Sequence, residues 1–165
     1  MGQMDPWESG SRTRLREDFV DGLKHFRNDD WEHALRLFRL ADEQAEMDDV
    51  YQNRYTSFHG LARVLMGDKN GVKLCRKAAV GEQSDVEVYY NLAMAEHRLG
   101  YRESAWTALR RGLRIDRGHP GLKRLEEEFT LRVKHKAVPG LNREGIVNRV
   151  IGRLFRVSRK SWNSR

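Results

Sequence analysis

The sequence predicts an all-α chain of stacked antiparallel helix pairs, on three observations. Only three prolines occur, Pro6, Pro120 and Pro139, so the stretch between the first two can run helix after helix without a break. One pattern of small and large apolar residues recurs three times. Its equivalent positions Gly22, Gly60 and Ala93 lie 38 and 33 residues apart, an interval suited to helical repeats. Helix-start signals fall where the pattern restarts: Asp29-Asp30 precedes Trp31, and Ser84-Asp85-Val86-Glu87 reads as a capping box.

Taken in order, these signals place helices at about 13–28, 31–47, 50–66, 71–81, 85–99, 102–116, 120–135 and 142–158. A flexible stretch 1–12, a helical body 13–136 and a basic amphipathic segment 137–165 follow as the domain organisation. The first copy of the pattern runs from Phe19 to Ala41 and sets Gly22, Trp31, Ala34, Phe38 and Ala41 on its sites. The middle copy sets Gly60, Gly67, Val72 and Ala79 there, and Lys69-Asn70-Gly71 makes a poor helix start. Because the first interval is the longer, the second helix is expected to extend through about Glu43 to Asp49.

The third copy, VYYNLAMAEHRLGYRESAWTALRRGLRID from Val88 to Asp116, is the clearest. It resembles the tetratricopeptide (TPR) repeat. Tyr89 stands at the family's tryptophan position, Leu92-Ala93 at its Leu-Gly pair and Leu99-Gly100 at the inter-helix turn, with Ala105, Leu109 and Gly112 on the second helix. The terminal proline is replaced by Arg117, with Pro120 a little later. The resemblance spans Leu15 to His119 in three repeats and implies a right-handed superhelix, a TPR solenoid closed by a capping helix. Small residues at Gly22/Ala34, Gly60/Val72 and Ala93/Ala105 would let the paired helices cross closely.

The same resemblance implies a non-catalytic adaptor, scaffold or chaperone-like module that binds another protein or peptide in a groove lined by the first helix of each pair. The implied contacts are Phe19, Leu23, Phe26 and Arg27, then Ser57, Leu61, Val64 and Leu65, then Tyr90, Met94, His97 and Arg98. Apolar and aromatic groups with basic edges suit an amphipathic helix or extended peptide. The carboxylate clamp of chaperone-binding members is not matched: Phe19 and Leu23 occupy its first-repeat positions, and Asn91 alone agrees. In size and repeat number the chain also resembles the TPR chaperones of bacterial type III secretion, although its basic tail departs from them.

The charge of +7 is concentrated at one end. From Thr130 onward ten Lys or Arg face one acid, Glu144, whereas the remaining 21 basic and 23 acidic residues leave −2. Leu122, Leu125, Phe129 and Val133 form the stripe expected of a capping helix. After Pro139-Gly140, Asn142 can cap a helix carrying Ile146, Val147, Val150, Ile151, Leu154 and Phe155 on one face. Arg149, Arg153, Arg156, Arg159 and Lys160 occupy the others. Three readings of this tail compete. Its apolar stripe folds back onto the repeats, or it lies on an anionic membrane surface together with Trp162, or its arginines meet nucleic acid. The last ranks lowest, because few aromatics interleave and no nucleic-acid motif accompanies the charge.

No catalytic, metal or cofactor motif is read. The six histidines stand far apart in sequence, without His-Glu-x-x-His or Cys-rich spacing, and none is read as a ligand. Gly67-Asp68-Lys69-Asn70-Gly71 lacks phosphate-loop spacing, and Glu126-Glu127-Glu128 reads as a solvated helix surface. The single Cys75 reads as a small buried or half-buried hydrophobe in a reducing compartment. With no signal peptide and no membrane-length apolar run, the expected location is cytoplasmic, and peripheral at a membrane only under the second reading of the tail.

Overall fold

The computed structural model describes residues 14–46 and 48–136, and among them helices and turns are present without strands. The helices are α1 (Glu17–Arg27), α2 (Trp31–Glu43), α3 (Gln52–Leu65), α4 (Gly71–Ala79), α5 (Val86–Arg98), α6 (Arg102–Ile115) and α7 (Pro120–Lys136). The eighth expected helix, the stretch 1–12 and the basic residues Arg149, Arg153, Arg156, Arg159 and Lys160 lie outside the described residues. No helix among the described residues is long and apolar enough to cross a membrane.

The chain divides into two compact units, Met1–Leu125 and Glu126–Arg165. In the first, α1 packs on α2, α3 on α4 and α5 on α6, and neighbouring pairs meet through α2 with α3, α3 with α5 and α4 with α5. Helix α3 is buried without interruption from Tyr55 to Ala62. That follows from its position: an element touched by α2, α4 and α5 has no face left for water. The described part of the second unit continues α7, where Phe129 is buried and Thr130 Oγ1 donates to the Glu126 carbonyl at 2.8 Å.

Aromatic packing closes the first pair onto α3. Phe19 lies 5.4 Å from Phe38, 4.9 Å from Tyr55 and 5.2 Å from Phe58, ring centre to ring centre. Each large ring removed from water contributes on the order of 1.5–3 kcal/mol. Tyr55 pays no polar penalty here, since its hydroxyl accepts the Arg16 N–H at 3.1 Å. A second buried group, Leu61, Val64, Val72, Cys75 and Ala95, joins α3, α4 and α5. Leu122 at the start of α7 covers the end of the third pair, where a methyl group on Gly112 would lie 2.5 Å from Leu122 Cδ1.

The first helix of every pair ends in the same turn. After α1 the N–H of Asp29 bonds the Phe26 carbonyl and that of Asp30 the His25 carbonyl. After α3 the donors are Gly67 and Asp68, to Val64 and Arg63, and after α5 they are Gly100 and Tyr101, to His97 and Glu96. These are Schellman caps, whose central residue adopts positive φ: 58° at Asp29, 93° at Gly67 and 81° at Gly100. Glycine tolerates that conformation at no steric cost, and Asp is among the few side chains that tolerate it at all. The three caps stand 38 and 33 residues apart (67 − 29 and 100 − 67), the intervals of Gly22, Gly60 and Ala93.

Three local expectations are corrected. Helix α2 stops at Glu43 instead of running on toward Asp49, and α3 starts only at Gln52. Acids at Glu46, Asp48 and Asp49 would sit against the negative end of the helix dipole. Asp49 instead lies in the turn before α3, its carboxylate accepting the Tyr51 N–H at 2.8 Å. Second, the cap of α5 is Asp85, which accepts the Glu87 N–H at 3.0 Å, while the Ser84 N–H turns to Glu82. Asp30 does cap α2, through the His33 N–H at 3.4 Å.

Third, in the first pair Gly22 meets the second helix about one turn further along than expected, at Phe38, whereas Gly60 meets it both at Gly71, beside Val72, and at Cys75. Ala34, Ala93 and Ala105 are fully buried and Val72 nearly so. Yet a Cβ on Gly22 would meet Phe38 at 2.7 Å, and one on Gly60 would meet both Cys75 Sγ and the Gly71 carbonyl at 2.7 Å.

Candidate protein-binding face

The twelve groove candidates do not share one environment. Phe19, Ser57, Leu61 and Val64 are at most 3 % exposed and belong to the interhelical core. They offer a partner no surface, and this corrects their reading as contacts. The cause is the depth of α3, which turns even its Ser57 inward: the hydroxyl donates to the Arg54 carbonyl at 2.8 Å and accepts Asn91 Nδ2 at 3.0 Å.

The other eight reach the surface. Leu23 and Phe26 on α1, Leu65 on α3 and Tyr90, Met94 and His97 on α5 are half-buried, and Arg27 and Arg98 are exposed. Phe26, Leu65 and Met94 all pack against the cluster containing Leu61, Val64 and Ala95. One apolar floor therefore carries a half-buried side chain from each of the three first helices. Phe26 is further fixed by ring contacts to Trp31 at 4.9 Å and Phe58 at 5.7 Å. Tyr90 lies 5.2 Å from His119, and burial raises its phenol pKa.

Polar groups fix the helices that carry this face. Asp42 of α2 accepts Gln52 Nε2 at 2.9 Å and the Thr56 hydroxyl of α3, and its other oxygen lies 2.8 Å from His59 Nδ1. Arg54 donates to both oxygens of Asp85 at 2.6 and 2.9 Å, linking α3 to the start of α5. This bidentate bond raises the arginine's pKa against the opposing effect of burial. Glu96, 3 % exposed, accepts Arg76 Nε at 2.8 Å. Cys75 is fully buried, as expected; burial pushes its thiol up to about 12, so it is no nucleophile at neutral pH.

Glu82 holds the loop between α4 and α5. Its Oε1 accepts the N–H groups of Gln83, Ser84 and Asp85 at 3.0, 2.9 and 2.9 Å, and Oε2 accepts Asn53 Nδ2 at 3.1 Å. Burial works to raise its pKa, but these donors outweigh it and hold the carboxyl at about 2, below its usual 4.5. A folded-state pKa below the unfolded one gives stability that is complete above about pH 4.5 and is lost as pH falls toward 2. Glu82→Gln is therefore expected to cost about 1 kcal/mol at pH 7, after allowing for solvent screening, and almost nothing near pH 2. Urea unfolding of both proteins at pH 7, 4 and 2.5 checks this, and a constant gap at all three would refute it.

Two of the polar clusters that the sequence did not point to are Asp42 with His59, and His25 with Asp30 and His33. The latter two histidines, eight residues apart, stack with ring centres 5.1 Å apart beside one carboxylate. The spacing His-x4-Asp-x2-His across a helix-ending turn was the available signal. Compared with known proteins, the chain matches no family model, no curated protein and no solved structure.

Proposed function

We propose that the chain is a TPR-like solenoid, a right-handed superhelix of three helix pairs, that binds a peptide or amphipathic helix of another protein and catalyses no reaction. The observation that carries this reading is the recurrence of one Schellman cap at Asp29, Gly67 and Gly100, in the register of Gly22, Gly60 and Ala93. Three identical endings at repeat spacing support a repeated unit more strongly than the helices alone, because the cap fixes where each second helix sets out.

The half-buried apolar side chains Leu23, Phe26, Leu65, Tyr90 and Met94, edged by Arg27 and Arg98, supply the docking face. An amphipathic ligand would lay its apolar side chains on that floor and its acids toward the arginines. A cytoplasmic adaptor or scaffold is the corresponding role.

Peptide display against the full-length protein tests it. Apolar and aromatic peptides with acidic flanks should be enriched, and Met94→Gln combined with Arg98→Glu should weaken them about tenfold or more, a loss of about 1.4 kcal/mol. That variant should stay folded, with a melting temperature lowered by only several degrees, since Arg98 is exposed and Met94, although packed on the core cluster, is only half-buried. No enrichment, or enriched peptides indifferent to both substitutions, would overturn the docking face.

A further inference from the structure

We propose that His25, Asp30 and His33 form a surface site for a borderline divalent transition-metal ion of the zinc class. His25 lies in the last turns of α1, Asp30 caps α2 and His33 follows one turn later. The Schellman turn at Asp29 folds the chain back so that the three residues converge. One ligand atom from each lies within 4.8 Å of the others. The geometry is closer still around the carboxylate: His25 Nδ1 is 2.9 Å from Asp30 Oδ2, and His33 Nδ1 is 2.9 Å from Asp30 Oδ1.

Zinc binds imidazole nitrogen and carboxylate oxygen at roughly 2.0–2.2 Å, which sets the ligand atoms of a tetrahedral site about 3.3 Å apart. Turning the two stacked rings out of their near-parallel arrangement would aim both nitrogens at one ion, and their 41 % and 51 % exposure leaves room for that rotation. The donor set, two imidazoles and one carboxylate, suits zinc and its neighbours and offers little to magnesium or calcium, which prefer oxygen. Solvent would hold the fourth position.

A helix cap alone does not call for this arrangement. Capping needs one carboxylate oxygen on one N–H, and here that bond is stretched to 3.4 Å while both oxygens face imidazole nitrogens. When the ion enters, each Nδ1 becomes a ligand atom, and the proton it carried toward Asp30 moves to Nε2 through solvent. The side chains of His25, His33 and Asp30 are 41 %, 51 % and 38 % exposed, so an ion reaches them without unfolding. The surrounding cleft also presents Asp21, Lys24, Arg36 and Leu37. Lys24 is paired with Asp21 at 2.7 Å, and Arg36 opposes a dication. The site is thus tuned to an ion that forms partly covalent bonds to nitrogen, more than to one held by charge alone.

Calorimetric titration of the tag-free, chelator-stripped full chain with Zn2+ alone is the test. One equivalent should bind, Mg2+ should not, and the melting temperature should rise with free Zn2+. His33→Ala, His25→Ala and Asp30→Asn should each weaken Zn2+ binding by at least about tenfold. Asparagine caps a helix as well as aspartate does, so Asp30→Asn removes the charged donor while keeping α2 intact. Helix content of every variant is followed by circular dichroism. No heat of Zn2+ binding, or equal affinity in all three folded variants, would overturn the site. Because the readout needs no partner protein, its failure is separable from failure of the docking face.

Discussion

Phe38→Ala is expected to remove about 3–5 kcal/mol of stability, a large fraction of the 5–15 kcal/mol typical of a domain. Phe38 is fully buried, and its ring sits 5.4 Å from Phe19, 5.7 Å from Phe26 and 5.2 Å from Phe58. It also closes over Gly22, where α1 approaches α2. The neighbours cannot collapse into the gap, because Phe19 is already held by Tyr55 and Phe58 by Phe19. Urea unfolding followed at 222 nm reads the loss, with Val80→Ala, at a position 80 % exposed, as the neutral reference. A cost for Phe38→Ala near that of the reference would mean that the aromatic cluster does not hold the first pair to α3.

The helices were legible because periodicity is a local signal with a direct geometric cause: Phe19, Gly22, Leu23 and Phe26 recur at helical spacing, and so do Ala34, Phe38 and Ala41. The positions of Gly67 and Gly100 were legible for the same kind of reason, since positive φ selects glycine. Asp29 in the equivalent place hid the third cap. What the sequence could not carry was depth. Whether Ser57 or Leu61 faces a groove or a core depends on how many helices cover α3, and no residue of α3 records that α2, α4 and α5 all reach it. Likewise, the end of α2 goes with Asp42 engaging Gln52 of α3 and Asp49 engaging the turn before it, and the histidine cluster with a turn that brings residues eight apart to one carboxylate.

This dependence on depth makes Gly60→Val the second large effect. A Cβ on Gly60 would lie 2.7 Å from the Gly71 carbonyl oxygen, 2.7 Å from Cys75 Sγ and 2.9 Å from the Cys75 nitrogen. Two of these atoms are backbone, so α4 as a whole must move away from α3. Leaving glycine in a helix interior returns up to about 1 kcal/mol of propensity with alanine and less with a β-branched residue, whereas overpacking costs about 3 kcal/mol. A net loss of about 2–3 kcal/mol is therefore expected, read as a lower urea midpoint with unchanged slope. The companion substitution Gly60→Ala separates the causes. Made in a Cys75→Ala background it loses the sulfur contact but keeps the clash with the Gly71 carbonyl, so most of its cost should persist; Gly81→Ala, with nothing within 4 Å, should cost almost nothing. Full rescue by Cys75→Ala would place the limit on the side chain and show that α3 and α4 can separate freely. Since α3 also bears Leu65 and packs on α5, which bears Met94, a shift of α4 against this pair should disturb the proposed docking floor as well as the core.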